Sequence, residues 1–407
     1  MKARVQNLWR SAAFPQATRD GAPLFWMIAL LVGGLTVIGL VMVLSASSVM
    51  LISNDNSAWY LFNRQLMFGA IGTVAFIVGA RLDYRVWLRW APWLLVATII
   101  FLAAVLIPGV GIRANGAQRW IGINSTFGFQ PSEFAKLVLL LFAARLLARR
   151  LDQIEDARKV LAPLLIVTAI VCVLVMLEPD LDTAIEISLI VTGILFAAGI
   201  PRRQLFGLLV GNFVAISVLA VAAPYRFRRL LTFLHPEDDP LSTGYQIKQS
   251  LIALGNGGWT GVGLGNGHAK WLFLPAAHTD FIFSIIGEET GVVGASFVLG
   301  LFGVFAVLGC KVALRAPDRA GMLLAAGVTT WVCGQALINV AMVVGLAPVS
   351  GTPLPFISAG GTSLVVLMGS VGILANVARQ CSLPAPVQSF AHPAVGRARG
   401  MRPAPSA

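Results

Sequence analysis

Hydrophobic positions in this chain come in long unbroken runs separated by short polar stretches, a pattern that neither a half-buried strand nor a one-faced surface helix produces. An α-helix needs about 20 apolar residues to cross hydrocarbon. Runs of that kind fall at about 24–48, 65–80, 87–108, 129–148, 160–177, 183–200, 204–224, 280–309, 321–346 and 364–379. The pattern predicts an all-α integral membrane protein with about ten transmembrane helices. Most connections between the runs are short. The exception is residues 225–279, a connection of about 55 residues between helices 7 and 8. Long ordered loops on a rigid scaffold tend to carry function.

Composition strengthens this reading. Hydrophobic residues make up 57% of the 407 and charged residues only 12%, and the mean hydropathy is +0.81. The formal charge of +12 raises the question of a nucleic-acid partner, and the placement of the bases answers it. With a cytoplasmic N-terminus, 21 of the 30 Lys and Arg fall in inner segments, eight in outer ones, and Lys136 alone inside a helix. Basic residues distributed this way report orientation, so no nucleic acid is implied. The assignment puts both termini in the cytoplasm and the 225–279 loop outside. The chain then divides into a cytoplasmic tail at 1–23, a membrane domain at 24–380 and a disordered cytoplasmic tail at 381–407. Residues 1–22 lead into a full-length span with no evident cleavage site, so the first helix reads as retained. Cys172, Cys310, Cys333 and Cys381 have neither a disulfide framework nor zinc spacing.

Within the long loop, an amphipathic piece near Tyr245–Leu254 is followed by glycines at 257, 258, 261, 263, 265 and 267. A phosphate loop requires Gly followed by Lys and Ser or Thr, whereas Gly267 is followed by His268, Ala269 and Lys270. A flexible or tightly turning loop is favoured over an anion cradle.

Polar groups that a bilayer would otherwise exclude collect at the outer helix ends. In FGFQPSEFAK, Pro131 suits a first helical turn, and Glu133 and Lys136 share one face three residues apart. The two either pair to fix helix packing or present a lysine to substrate. LEPDLDTAIE holds Glu178, Asp180, Asp182 and Glu186 with no adjacent base. Asp182 reads as an N-cap and Asp180 as a turn acceptor, and the two are also candidate ligands for a divalent cation on spacing alone. Arg119 and Trp120 of GIRANGAQRWIG suit either headgroups or a phosphate beside a sugar face. The stretch VSGTPLPFISAGGTS, with Ser358 and Ser363, breaks regular structure beside a span, which is tolerated where backbone lines a cavity or packs in protein. Finally, LPAAHTDFIF places Asp280 at the edge of an apolar run, where a carboxylate either caps a helix or does chemistry.

Together these segments resemble the SEDS family of RodA, FtsW and SpoVE. The motifs NGAQRW, FQPSEFAK, EPDLDT, GYQIKQSLIALGNGGWTGVGLG, LPAAHTDFIFSIIGEETG and PLPFISAGGTS occur in the family order across 24–380. LSASS, LFNRQL and the polar N-terminal extension are closer to the FtsW branch. The resemblance implies a peptidoglycan glycosyltransferase in the bacterial cytoplasmic membrane. Such enzymes polymerise lipid II, release undecaprenyl pyrophosphate, and work with a class B penicillin-binding protein within the division or elongation machinery. It implies Asp280 as general base. It places Arg119, Trp120, Glu133, Lys136, Lys270, His278, Ser358 and Ser363 around the substrate, with no certain cofactor and a divalent cation as an option. The sequence departs from the family pattern at Glu178 and Asp182, where QPDLGT is usual, and at His268 and Ala359. Two rival functions remain, a lipid II flippase and a non-catalytic activator of the transpeptidase. Polar groups crowded at the outer ends, not strung through the membrane depth, favour outer-face catalysis over a translocation path.

Overall fold

A computed structural model describes residues 21–53, 55, 57–114, 117–122, 128–235, 237, 243–271 and 273–381. Each apolar run becomes a helix, since a backbone in hydrocarbon must satisfy its own polar groups. In chain order these are α1 Gly21–Ser53, α2 Tyr60–Arg81, α3 Tyr84–Val105, α4 Pro131–Arg150, α5 Leu161–Leu177, α6 Leu181–Ala198 and α7 Arg202–Ala222. Two further helices, α8 Pro224–Leu234 and α9 Thr243–Gly257, precede α10 Ile282–Arg315, α11 Arg319–Val343 and α12 Gly361–Arg379. Eight are long and apolar enough to cross a membrane. Of the other two expected spans, α5 is 17 residues long and α4 carries ions, and both pack within the bundle. The chain is a multi-pass membrane protein. Except for residues 21–23 and 381, the two expected tails lie outside the described residues.

Helix ends follow their local chemistry. Pro131 occupies the first turn of α4, and Arg149 and Arg150 complement the dipole in its last turn. Asp318 caps α11 through the Gly321 N–H at 2.7 Å, and α6 ends on Gly199 in the left-handed region (φ 77°). The centre of the bundle is α12, most of whose residues are buried, with α2 lying against it. Contact is close because glycines meet backbone: a Cβ at Gly79 would stand 2.7 Å from the Gly369 carbonyl oxygen. Small residues at a helix crossing let backbones approach in this way. By contrast, α7 has no buried residue.

Two features depart from the expectation. The connection 109–130 is not plain loop: β1 Gly111–Ala114, β2 Ala117–Gly122 and β3 Gly128–Phe129 form a small antiparallel sheet in the order β1-β2-β3. The long 225–279 connection carries two helices, α8 opened by Pro224 and α9 enclosing the expected amphipathic piece.

The glycine run is a tight packing element against α10. That helix is broken at Gly291 (φ 67°, ψ −170°). The carbonyls of Glu288 and Glu289, which a continuous helix would pair with Val292 and Val293, instead accept from Val262 N (3.0 Å) and Gly263 N (3.1 Å). Val292 N and Val293 N donate to Gly258 O (2.9 Å) and Trp259 O (3.2 Å). The loop thus replaces the bonds that the break removes. Gly261 has φ +80°, and a Cβ there would collide with the Glu289 carbonyl. We expect Gly261→Ala to cost about 2 kcal/mol or more, read as a lower midpoint of thermal unfolding in detergent. Gly255→Ala, in open space on α9, should leave the midpoint unchanged or raise it.

Candidate active site

The site forms where the N-terminal end of α10 meets the irregular segments 274–281 and 349–360. Two hydrogen bonds join those segments, and a third folds the second segment on itself. Ser358 Oγ donates to Thr279 O (2.6 Å) and accepts from Leu354 N (2.8 Å), and Ala359 N donates to His278 O (3.0 Å). From α11, Asn339 Nδ2 donates to both Asp280 O (2.7 Å) and Thr352 O (2.8 Å). One turn earlier Gln335 Nε2 donates to Pro353 O (2.9 Å), and its Oε1 accepts from Trp331 Nε1 (2.9 Å). The backbone beneath Asp280 is therefore held from two sides.

Its side chain is free. Phe281 occupies the N-cap position of α10 without a side-chain cap bond, so Asp280 does not cap the helix. Among the described residues its carboxylate has no hydrogen-bond donor. Burial pushes its pKa up to about 7, the nearby Asp182 carboxylate pushes it the same way, and Arg229 of α8 opposes both. A carboxyl group that titrates near neutrality without a fixed donor can accept a proton from a ligand. Beside it, burial and the Arg64 charge lower the pKa of His278, which favours the neutral imidazole.

The acid cluster around EPDLDT is arranged differently from the expectation. The N-cap of α6 is Asp180, which accepts from Thr183 N (3.2 Å) and Thr183 Oγ1 (2.9 Å). Asp182 sits in the first turn and accepts the Gly351 N–H at 2.8 Å. The cluster also has bases beside it, brought from other elements. Arg119, on β2, donates through Nε to Glu178 O (2.9 Å) and through Nη2 to Pro179 O, and its Nη1 lies 3.8 Å from Asp180 Oδ1. Glu178 is fully buried with both oxygens unpartnered, and burial raises its pKa to about 8, which favours the neutral form. Among the described residues no group of three or more His, Cys, Asp or Glu is placed to hold a metal ion, and Asp180 and Asp182 are already engaged as above.

Lys136 anchors a buried triad. Its ammonium donates to Glu133 (2.9 Å) and also to Glu186 of α6 (2.5 Å), under the face of Trp331 at 5.2 Å. The pair expected from spacing is thus a three-helix junction of α4, α6 and α11. Lys270 is likewise buried and engaged, with Glu289 (2.9 Å), Ser45 Oγ (3.1 Å) and Gly265 O (2.5 Å). Glu288 accepts from His268 N and Ala269 N (2.9 and 3.1 Å). Lys136, Lys270 and Arg119, expected to meet the substrate, are therefore occupied by protein acceptors. Trp120 packs over Gly128, where a Cβ would stand 3.1 Å from its ring, and Ser363 lines a small cleft with Gln335 and Pro353.

The bases without an ion pair among the described residues at this end include Arg64, Arg228 and Arg229. Arg64 was not singled out in the sequence. Gln335, Asn339, Glu288 and Glu289 also escaped it, although polar residues four apart inside an apolar span, as in QALIN, are the signal that points to them.

A carboxylate left without a side-chain donor at the edge of a membrane bundle, as Asp280 is among the described residues, marks a candidate functional site. The chain belongs to the cell cycle protein family of FtsW, RodA and SpoVE, whose pattern it matches over residues 24–383. It is 43% identical over 355 residues to a protein of Mycobacterium tuberculosis named probable peptidoglycan glycosyltransferase FtsW, covering 87% of this chain and 68% of that one. A chain of a solved peptidoglycan synthase complex superposes with a TM-score of 0.73 at 30% identity, covering 87% of this chain and 97% of that one. The rod shape determining protein RodA of Thermus thermophilus gives 0.65 at 28% identity, covering 88% and 98%.

The triad generates a test. Lys136→Met strands two buried carboxylates and should cost about 3–5 kcal/mol, whereas Glu133→Gln leaves Lys136 with Glu186 and should cost about 1 kcal/mol. The thermal midpoint in detergent measures both, and Lys136→Met combined with Glu133→Gln and Glu186→Gln should recover most of the loss.

Proposed function

We propose that the chain is a peptidoglycan glycosyltransferase that polymerises lipid II at the outer face of the cytoplasmic membrane, with Asp280 as general base. The observation that carries this is the Asp280 carboxylate, fixed through its backbone by Asn339, without a side-chain donor, and titrating near 7. Family membership and the named relatives supply the reaction class. In the transfer a sugar hydroxyl oxygen bonds to the anomeric carbon of the lipid-linked donor, the bond from that carbon to the pyrophosphate oxygen breaks, and configuration inverts. The hydroxyl proton passes to Asp280, and undecaprenyl pyrophosphate leaves with its electron pair.

The leaving group needs positive charge that is not already neutralised. Arg229, close enough to lower the proton affinity of Asp280, and Arg64, facing His278, meet that need. Arg119, Glu133, Lys136, Lys270 and Ser358 build the walls that hold the site in shape, while Trp120, His278 and Ser363 line its approaches. Basic residues at the opposite helix ends support an orientation with the site end outside and both termini in the cytoplasm. A class B penicillin-binding protein is the partner this reading implies, in keeping with the synthase complex that the fold resembles.

Two measurements test it. Asp280→Asn should insert and fold at wild-type levels yet make no polymer from purified lipid II, because an amide cannot take the proton. In the wild-type protein only ionised Asp280 works, so the polymerisation rate should fall about tenfold per pH unit below about pH 7 and flatten above it. Polymer made by Asp280→Asn, or a rate flat from pH 5 to 8, would remove Asp280 from this role.

A further inference from the structure

Asp182 stands where the family pattern usually has glycine, so its placement belongs to this chain. Its Oδ2 accepts the Gly351 N–H at 2.8 Å. A Cβ built on Gly351 would lie 3.3 Å from Asp182 Oδ2 and 4.0 Å from Asp280 Oδ2, so both carboxylates flank one exposed glycine. The Gly351 segment is also the one Asn339 ties to Asp280, through Thr352 O and Asp280 O. The first turn of α6, the 349–353 segment and the Asp280 turn therefore form one connected unit. Among the described residues Asp182 is the side chain of α6 that ties this unit to the helix.

We propose that Asp182 is a positioning residue of the transfer reaction, docking the Gly351 segment beside Asp280 and keeping a second carboxylate next to the base. This rests on the general-base reading of Asp280. The charged groups facing Asp280 are Asp182 on α6 and Arg229 on α8. Those facing Asp182 are Asp180, at the head of its own helix, Arg229 and, on β2, Arg119. A carboxylate beside a carboxylate makes the base hold its proton more firmly. Asp182 therefore makes Asp280 a stronger base than its burial alone would and moves its working range to higher pH. Arg229 sits between these effects, because a pyrophosphate drawing it away would leave the two acids facing each other.

The experiment is the pH–rate profile of lipid II polymerisation by the full chain with its transpeptidase partner, for wild type, Asp182→Asn, Asp182→Gly and Asp280→Asn. Asp182→Asn removes the charge and keeps an acceptor for Gly351 N–H. Its acid limb should move down by about half a pH unit or more, so that at pH 6 it retains roughly three times the wild-type fraction of its plateau rate. Asp182→Gly should show the same shift and also a lower plateau, because the Gly351 segment loses its tether. A purely structural Asp182 would lower the plateau of Asp182→Gly and leave both limbs where the wild type has them. An unmoved limb in whichever of the two variants is recovered folded, with Asp280→Asn inactive, overturns this inference alone. Polymer from Asp280→Asn overturns the reading of Asp280 and the inference with it.

Discussion

In hydrocarbon a backbone N–H or C=O without a partner costs several kcal/mol, and the site end of this protein is organised around meeting that demand. Breaking α10 at Gly291 frees two carbonyls and two amides, and the glycine-rich segment 257–263 supplies partners to all four. The same event brings Glu288 and Glu289 against the 265–270 turn, where one carboxylate collects backbone amides and the other neutralises Lys270. With the loop locked to α10, residues 273–281 run between that anchor and the head of the helix. The Asp280 turn inherits its position from a backbone repair at Gly291, further along α10. Helix continuity there would have left the loop without a seat.

A second scaffold runs down α11. Trp331, Gln335 and Asn339 repeat at the helical period, so one face touches in turn the Lys136 triad, the Pro353 carbonyl and the backbone at Asp280. Burying Lys136 with two carboxylates is expensive to leave incomplete, which ties α4, α6 and α11 to one another beneath the site. Charge in the interior thus does structural work, while the bases free to meet a phosphate, Arg64 and Arg229, stand on α2 and α8 at the edge. The division follows from solvation: a cation that must bind and release an anion is better kept where water can replace it.

Helix positions were legible because crossing a bilayer leaves long apolar runs, and every expected run became a helix within a few residues of its expected ends. The 109–130 sheet was not, since its strands are short and rich in glycine and polar residues and have no alternation to read. Helix α8 was hidden because YRFRRLLTFL looks like a charged loop until its apolar residues are set on one face. Asp280 was legible as a carboxylate at a hydrophobic edge; that it leaves the N-cap unused was not, because capping depends on a dihedral and a donor, not on residue type. Lys136, Lys270 and Arg119 were legible as charges near the outer helix ends; that protein acceptors engage all three was not. Sequence spacing shows Glu133 near Lys136 but not Glu186, Glu289 or the carbonyls of Glu178 and Pro179, which arrive from elsewhere in the fold.

Helix α7 makes a different kind of statement. It buries no residue, and among the described residues Asn212 Nδ2 donating to Thr192 Oγ1 at 3.2 Å is its side-chain bond to α6. Most other positions on it are exposed, with Leu205 and Leu208 half-buried against the core, and an exposed position distinguishes little beyond apolar from polar. On α12, by contrast, adding a single carbon at Gly372 would drive it into the backbone of α2. The two helices cross the same membrane, yet the information each carries is unequal: α12 is spelled letter by letter, while α7 is specified by its length and its average, and most of its spellings are synonyms.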